Sequence, residues 1–77
     1  MDGSFRIHAE PMQIIVNGET RQVAEQISAA ELIESLGLAQ RRLALEVNGE
    51  IVPRSQHASH GLAAGDRVEI VHAVGGG

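Results

Sequence analysis

The sequence predicts an α+β domain of two layers, a mixed sheet of four to five strands with one helix packed on one face. Three observations carry this. Residues 12–17, 43–48 and 67–73 alternate apolar and polar side chains with a period of two. The dipeptide Asn-Gly occurs twice, at 17–18 and 48–49, each time directly after an alternating run. Residues 28–37 alone switch to helical spacing. The resulting element order is ββαβββ.

The first strand, residues 12–17 (MQIIVN), puts Met12, Ile14 and Val16 on one face and Gln13 and Ile15 on the other. Asn17-Gly18 is a strong hairpin signal, because both central positions of a type I′ turn need positive φ. The return strand covers residues 20–24. A helix follows. Ser28 fits its N-cap, and Glu31 stands at the capping-box distance. Leu32, Ile33 and Leu36 share a face, and Gly37 is a natural stop. Such a helix has eight or nine residues and needs a sheet to hold it.

Residues 43–48 (LALEVN) turn Leu43, Leu45 and Val47 inward and Ala44 and Glu46 outward. Asn48-Gly49 then starts a second hairpin, whose short return strand, EIV, ends at Pro53. VNGE therefore occurs at 16–19 and again at 47–50, one turn solution used twice. Residues 54–66 read as a connector with one turn of 3₁₀ helix. Gly65-Asp66 marks the turn into the last strand, where Val68 and Ile70 face inward and Glu69 and Val71 outward. That strand runs directly into three closing glycines.

Composition excludes several kinds of chemistry. The chain of 77 residues is one small domain, of a size that buries only roughly 60 % of its unfolded surface. It has no cysteine, so disulfides, thiolate metal sites and a cysteine nucleophile are excluded. This suits a reducing cytoplasm, the expected location. All six basic residues are arginine, which removes a phosphate-loop lysine and Schiff-base chemistry on a side chain. A net charge of −4 argues against nonspecific nucleic-acid binding. Phe5 alone makes no stacking platform. No apolar run approaches the ~20 residues of a membrane span. Residues 1–11 lack the basic start and apolar core of a secretory signal.

VNGEIVPRS at 47–55, Gly65-Asp66, and VEIVHAVGGG at 68–77 together resemble the ThiS family of sulfur carriers, which have a ubiquitin-like β-grasp fold. The resemblance covers residues 12–77. The related molybdopterin carriers commonly have an aromatic-proline stretch ahead of their glycines, where this chain has IVHAV. Three parts are expected: an extension at 1–11, either native, from an upstream start codon, or disordered or non-native; the β-grasp domain at 12–74; and a flexible tail of Gly75, Gly76 and Gly77. A strand over residues 5–9, which alternate weakly, is the less favoured reading of the extension.

The resemblance implies a carrier rather than an enzyme, with no bound cofactor or metal. A ThiF-like adenylating enzyme would spend ATP on the Gly77 carboxylate. Sulfur, from a donor such as a cysteine desulfurase, would displace AMP and leave a thiocarboxylate. A ThiG-like thiazole synthase would receive it. The alternatives are a molybdopterin-type or other biosynthetic carrier, and a β-grasp interaction module with an inert tail. The residues themselves agree with a working tail. Without cysteine, sulfur cannot be held as a persulfide on the chain's own side chains. Glycine leaves the acyl carbon open and fits a narrow channel.

Ordering three tail residues costs roughly 3–6 kcal/mol, at about 1–2 per residue. Docking must therefore come from the folded domain. If the first and last strands are neighbours, Ile15 and Val71 form an outward apolar patch with Ala44 beside them, and Ile15, Val71 and Val74 are the expected partner contacts. Arg54 is either a partner contact or a structural donor. The remaining candidates have plainer readings. His57 and His60 lack a third ligand at a clear spacing and read as surface histidines. Ser55 and Ser59 near His57 lack the supporting groups of a triad. The N-cap role accounts for Ser28, and Arg41-Arg42 reads as a solvated pair. His72 is inward by alternation, at a strand end, and its closeness to the tail is no evidence of acid–base work.

Overall fold

The computed structural model describes residues 11–72. The expected extension up to residue 10, Val74, and the tail of Gly75, Gly76 and Gly77 lie outside the described residues. Five strands and one helix follow in the expected order: β1 (Met12–Val16), β2 (Glu19–Val23), α1 (Ala29–Ser35), β3 (Leu43–Val47), β4 (Glu50–Val52) and β5 (Arg67–His72), with a 3₁₀ turn at Arg54–Gln56. The sheet order is β2-β1-β5-β3-β4. The last strand thus occupies the centre. It runs parallel to β1 and antiparallel to β3, which makes the sheet mixed.

Both hairpins close as their sequence requires. Asn17 and Gly18 have φ of 50° and 84°, and Asn48 and Gly49 have 54° and 86°. These paired positive values define type I′ turns. β1 and β3 stop one residue before the expected end because each asparagine already belongs to its turn. β2 begins at Glu19 and ends at Val23, one residue earlier at each end than expected.

The helix is built by its ends. The Ser28 hydroxyl accepts from the Glu31 N–H at 3.0 Å, and the Glu31 carboxylate accepts from the Ser28 N–H at 2.9 Å. This reciprocal cap is worth about 1 kcal/mol. Gly37 has φ of 76°, its N–H donates to the Glu34 carbonyl, and the Leu38 N–H donates to the Ile33 carbonyl. That pattern is a Schellman stop. It ends α1 after seven residues, shorter than the spacing alone predicts.

The connector after β4 has a structural task that its composition does not reveal. The Ala29 and Ala30 N–H groups, which have no partner within the helix, donate to the carbonyls of His60 and His57, each at 2.9 Å. Leu62 is buried, and its N–H donates to the Ile27 carbonyl. The connector therefore crosses the start of α1 and closes the core on that side.

The core lies between α1 and one sheet face. It joins Ile14 and Val16 of β1, Leu45 and Val47 of β3, Val52 of β4, Val68 and Ile70 of β5, Ala29, Leu32 and Ile33 of α1, and Leu62. Each fully buried Leu, Ile or Val contributes roughly 1.5–3 kcal/mol. The inward alternation read from the sequence holds in β1, β3 and β5. Among the described residues the helix covers only one face, and the other is open.

Candidate functional site

The candidate site is the open face together with the end of β5 that leads into residues 73–77. β5 is held on both edges. On one side it pairs with β3 from Val68–Val47 to His72–Leu43. On the other it pairs with β1 only at Ile15–Arg67 and Val16–Val68. β5 thus runs on beyond the end of β1.

This register corrects the expected patch. Ile15 and Val71 share a face but not a neighbourhood. Ile15 lies level with Arg67, four residues before Val71, which is about 13 Å along the strand. Ile15 is half-buried, whereas Val71 is 55 % exposed. The partner of Val71 is Ala44. The next row carries Glu69 opposite Glu46, with Ile51 opposite Glu46 on β4. Ile51 is 67 % exposed. The open face at the end of β5 is therefore an apolar pair, Val71 and Ala44, beside an acidic pair, Glu46 and Glu69, with Ile51 beyond. Sequence reasoning missed Ile51, although EIV alternation against Val52 carried the signal. Two like charges directly opposite each other are unfavourable within the domain.

Arg54 opens the 3₁₀ turn and is exposed. It lines a cavity of about 210 Å³ on the helix side, together with Arg41, Leu43, Ile33, Leu38 and His57. Leu43 is the cross-strand partner of His72, so this cavity lies at the tail end of the sheet. His72 itself is exposed.

His57 is not a surface histidine as expected. It is 8 % exposed, and its Nε2 lies 3.0 Å from the Val52 carbonyl. A carbonyl only accepts, so Nε2 carries the hydrogen. The 3₁₀ turn folds the chain back over the end of β4 and places the ring there. Among the described residues there is no group of three metal-ligating side chains. The Ser59 hydroxyl donates to the Gln56 carbonyl, within its own turn. Ser28 is occupied by its cap.

The family model described as "ThiS family" matches residues 7–77. The chain belongs to the ThiS family. The match begins five residues before position 12, where the resemblance read from the sequence starts. This ThiS-family chain is 38% identical over 66 residues to "Sulfur carrier protein ThiS" of Escherichia coli (strain K12), with 86% of this chain and 100% of that protein covered. It is 39% identical over 66 residues to a thiazole synthase of Paramagnetospirillum magneticum, again over 86% of this chain. It spans only 20% of that protein's length. The crystal structure of the thiamine biosynthesis protein ThiS from Geobacter metallireducens superposes with a TM-score of 0.75 at 35% identity, covering 86% of this chain and all of that one. The mixed five-stranded sheet with one helix is thus the ubiquitin-like β-grasp of the ThiS family. Among the described residues no helix is long and apolar enough to cross a membrane.

Proposed function

We propose that this ThiS-family protein is a sulfur carrier for thiamine thiazole synthesis, with the Gly77 carboxyl as the sulfur-bearing group. The observation that carries the reading is the family match, which runs through the glycine tail to residue 77. The Gly77 carboxylate attacks the α-phosphorus of ATP in a ThiF-like enzyme, and pyrophosphate leaves. A sulfur nucleophile then attacks the acyl carbon and expels AMP, forming the thiocarboxylate. The chain supplies no catalytic side chain to either step. It binds no cofactor of its own, and ATP belongs to the activating partner. With sulfide the thiocarboxylate forms directly. With a persulfide donor such as a cysteine desulfurase, displacement of AMP first gives an acyl disulfide. A thiol then reduces it to the thiocarboxylate while forming a disulfide with the donor sulfur. The thiocarboxylate then passes to a ThiG-like synthase. The matching segment within a thiazole synthase chain supports that pairing.

Docking falls to the open face at the end of β5. Val71 and Ala44 supply apolar contact, Glu46 and Glu69 supply charge, and Ile51 widens the surface. Val74, outside the described residues, is a further candidate contact, and Arg54 contacts the partner from the helix side of the same end. Ile15, lying level with Arg67, contributes only at the far margin.

Incubation with ATP, a ThiF-like enzyme and sulfide tests the chemistry by intact mass. The expected result is a gain equal to replacing one oxygen by sulfur. No gain, with an enzyme shown to charge another ThiS-family protein, overturns the proposal. The docking face is tested by Val71→Asp. Because Val71 is exposed, the unfolding midpoint should hardly move. The KM for the carrier should rise by about tenfold or more, as burying an unpaired carboxylate costs several kcal/mol. An unchanged KM removes Val71 from the interface.

A further inference from the structure

We infer that the side-chain amide of Asn17 is a positioning residue for the tail, anchoring β5 beyond the point where β1 ends. The inference rests on the carrier reading above. At Asn17 the chain leaves β1 and turns back into β2. Its backbone N–H still donates to the Val68 carbonyl at 2.9 Å. The next peptide unit of a continued β1 would face Ile70, but the chain has already turned away. The Asn17 side chain takes its place. Its Oδ1 accepts from the Ile70 N–H at 2.8 Å, and its Nδ2 donates to the Ile70 carbonyl at 3.3 Å. A side-chain amide has the donor and acceptor of a peptide group, so it prolongs the ladder by one rung.

Asn48 does the same at the other end of β5. Its Oδ1 accepts from the Arg67 N–H at 2.9 Å, and its Nδ2 donates to the Asp66 carboxylate at 3.0 Å. The repeated VNGE therefore does more than make two turns. Each asparagine uses its backbone for the turn and its side chain to clamp the same central strand. The two clamps differ in place. Asn48 holds the start of β5, whereas Asn17 holds Ile70, two residues before the last described residue.

The difference has a functional consequence. Without the Asn17 amide, the Ile70 N–H has no partner on the β1 edge, while Val71 keeps its place opposite Ala44 through β3. The docking face survives, but the end of β5 is held by one edge only. His72, the rung beyond Val71, then frays and adds one residue to the length the partner must order before the acyl group reaches its active site. One residue of added ordering corresponds to about a tenfold loss. Docking precedes that ordering, so the loss falls on kcat and not on KM.

The experiment compares N17G with N48G as substrates of a ThiF-like enzyme, by ATP–pyrophosphate exchange. Glycine accepts the positive φ of both turns, so each variant keeps its hairpin and loses only its clamp. Both should lose similar stability in urea. N17G should show kcat lowered about tenfold, unchanged KM, and faster hydrogen exchange at the Ile70 amide. N48G should keep wild-type kcat. N17D, which retains the acceptor for the Ile70 N–H, should restore kcat. Equal kcat for N17G and N48G overturns the inference, as does an N17D variant as slow as N17G. A wild-type protein that supports no exchange instead overturns the carrier reading, which keeps the two failures distinct.

Discussion

One alanine added after Gly77 is expected to reduce adenylation by at least about 100-fold while leaving the fold unchanged. The extra residue moves the terminal carboxyl about 3.5 Å along the chain. A misplacement of only ~1 Å at a reacting centre can cost 10²-fold. The new acyl carbon also carries a neighbouring methyl group in place of the open glycine. The folded domain does not contribute to this loss, because the described core ends at Ile70. Urea unfolding should therefore give the wild-type midpoint, and the KM for the carrier should stay near its wild-type value. Rapid adenylation of the extended chain would mean that the partner does not read the position of the terminus, and the tail chemistry would have to be abandoned.

The second large effect concerns the scaffold. Leu45→Ala should destabilise the domain by about 2–5 kcal/mol. Leu45 is fully buried, at 0% exposure, and stands in the register between Ile70 of β5 and Val52 of β4. Truncation removes apolar burial at the centre of the sheet and leaves a cavity under α1. A domain of 77 residues has on the order of 5 kcal/mol to lose, so the variant should be largely unfolded near physiological temperature. Equilibrium urea unfolding measures this directly, with the slope checked for constancy. A loss below about 1 kcal/mol would remove Leu45 from the core. Ile51→Ala is the matching control. Ile51 is exposed on the open face, so its loss should stay within about 0.5 kcal/mol.

These two results separate what the residues announce locally from what emerges on assembly. The type I′ turns at Asn17-Gly18 and Asn48-Gly49, the Ser28–Glu31 box and the Gly37 stop were all legible, since each depends on φ preferences or on hydrogen bonds spanning three to five residues. The inward faces of β1, β3 and β5 were legible from alternation. The exposed apolar residue Val71 was correctly placed on the open face, but its grouping with Ile15 was not. His57 gave no signal of burial, because its position depends on β4 and the connector folding together. Glu46 and Glu69 were each read as outward, yet nothing in either segment indicates that they stand opposite one another.

The one-dimensional pattern was enough to establish the elements, their order, the inward faces, the absence of a side chain able to hold sulfur, and the glycine end. Folding in three dimensions placed β5 between β1 and β3, set Val71 against Ala44, and brought the Asn17 amide to Ile70, 53 residues away. The division has a physical cause. Turn and cap preferences act within a few residues, whereas strand register is chosen by which buried faces fit together across the sheet. That choice is made between segments that share no local feature.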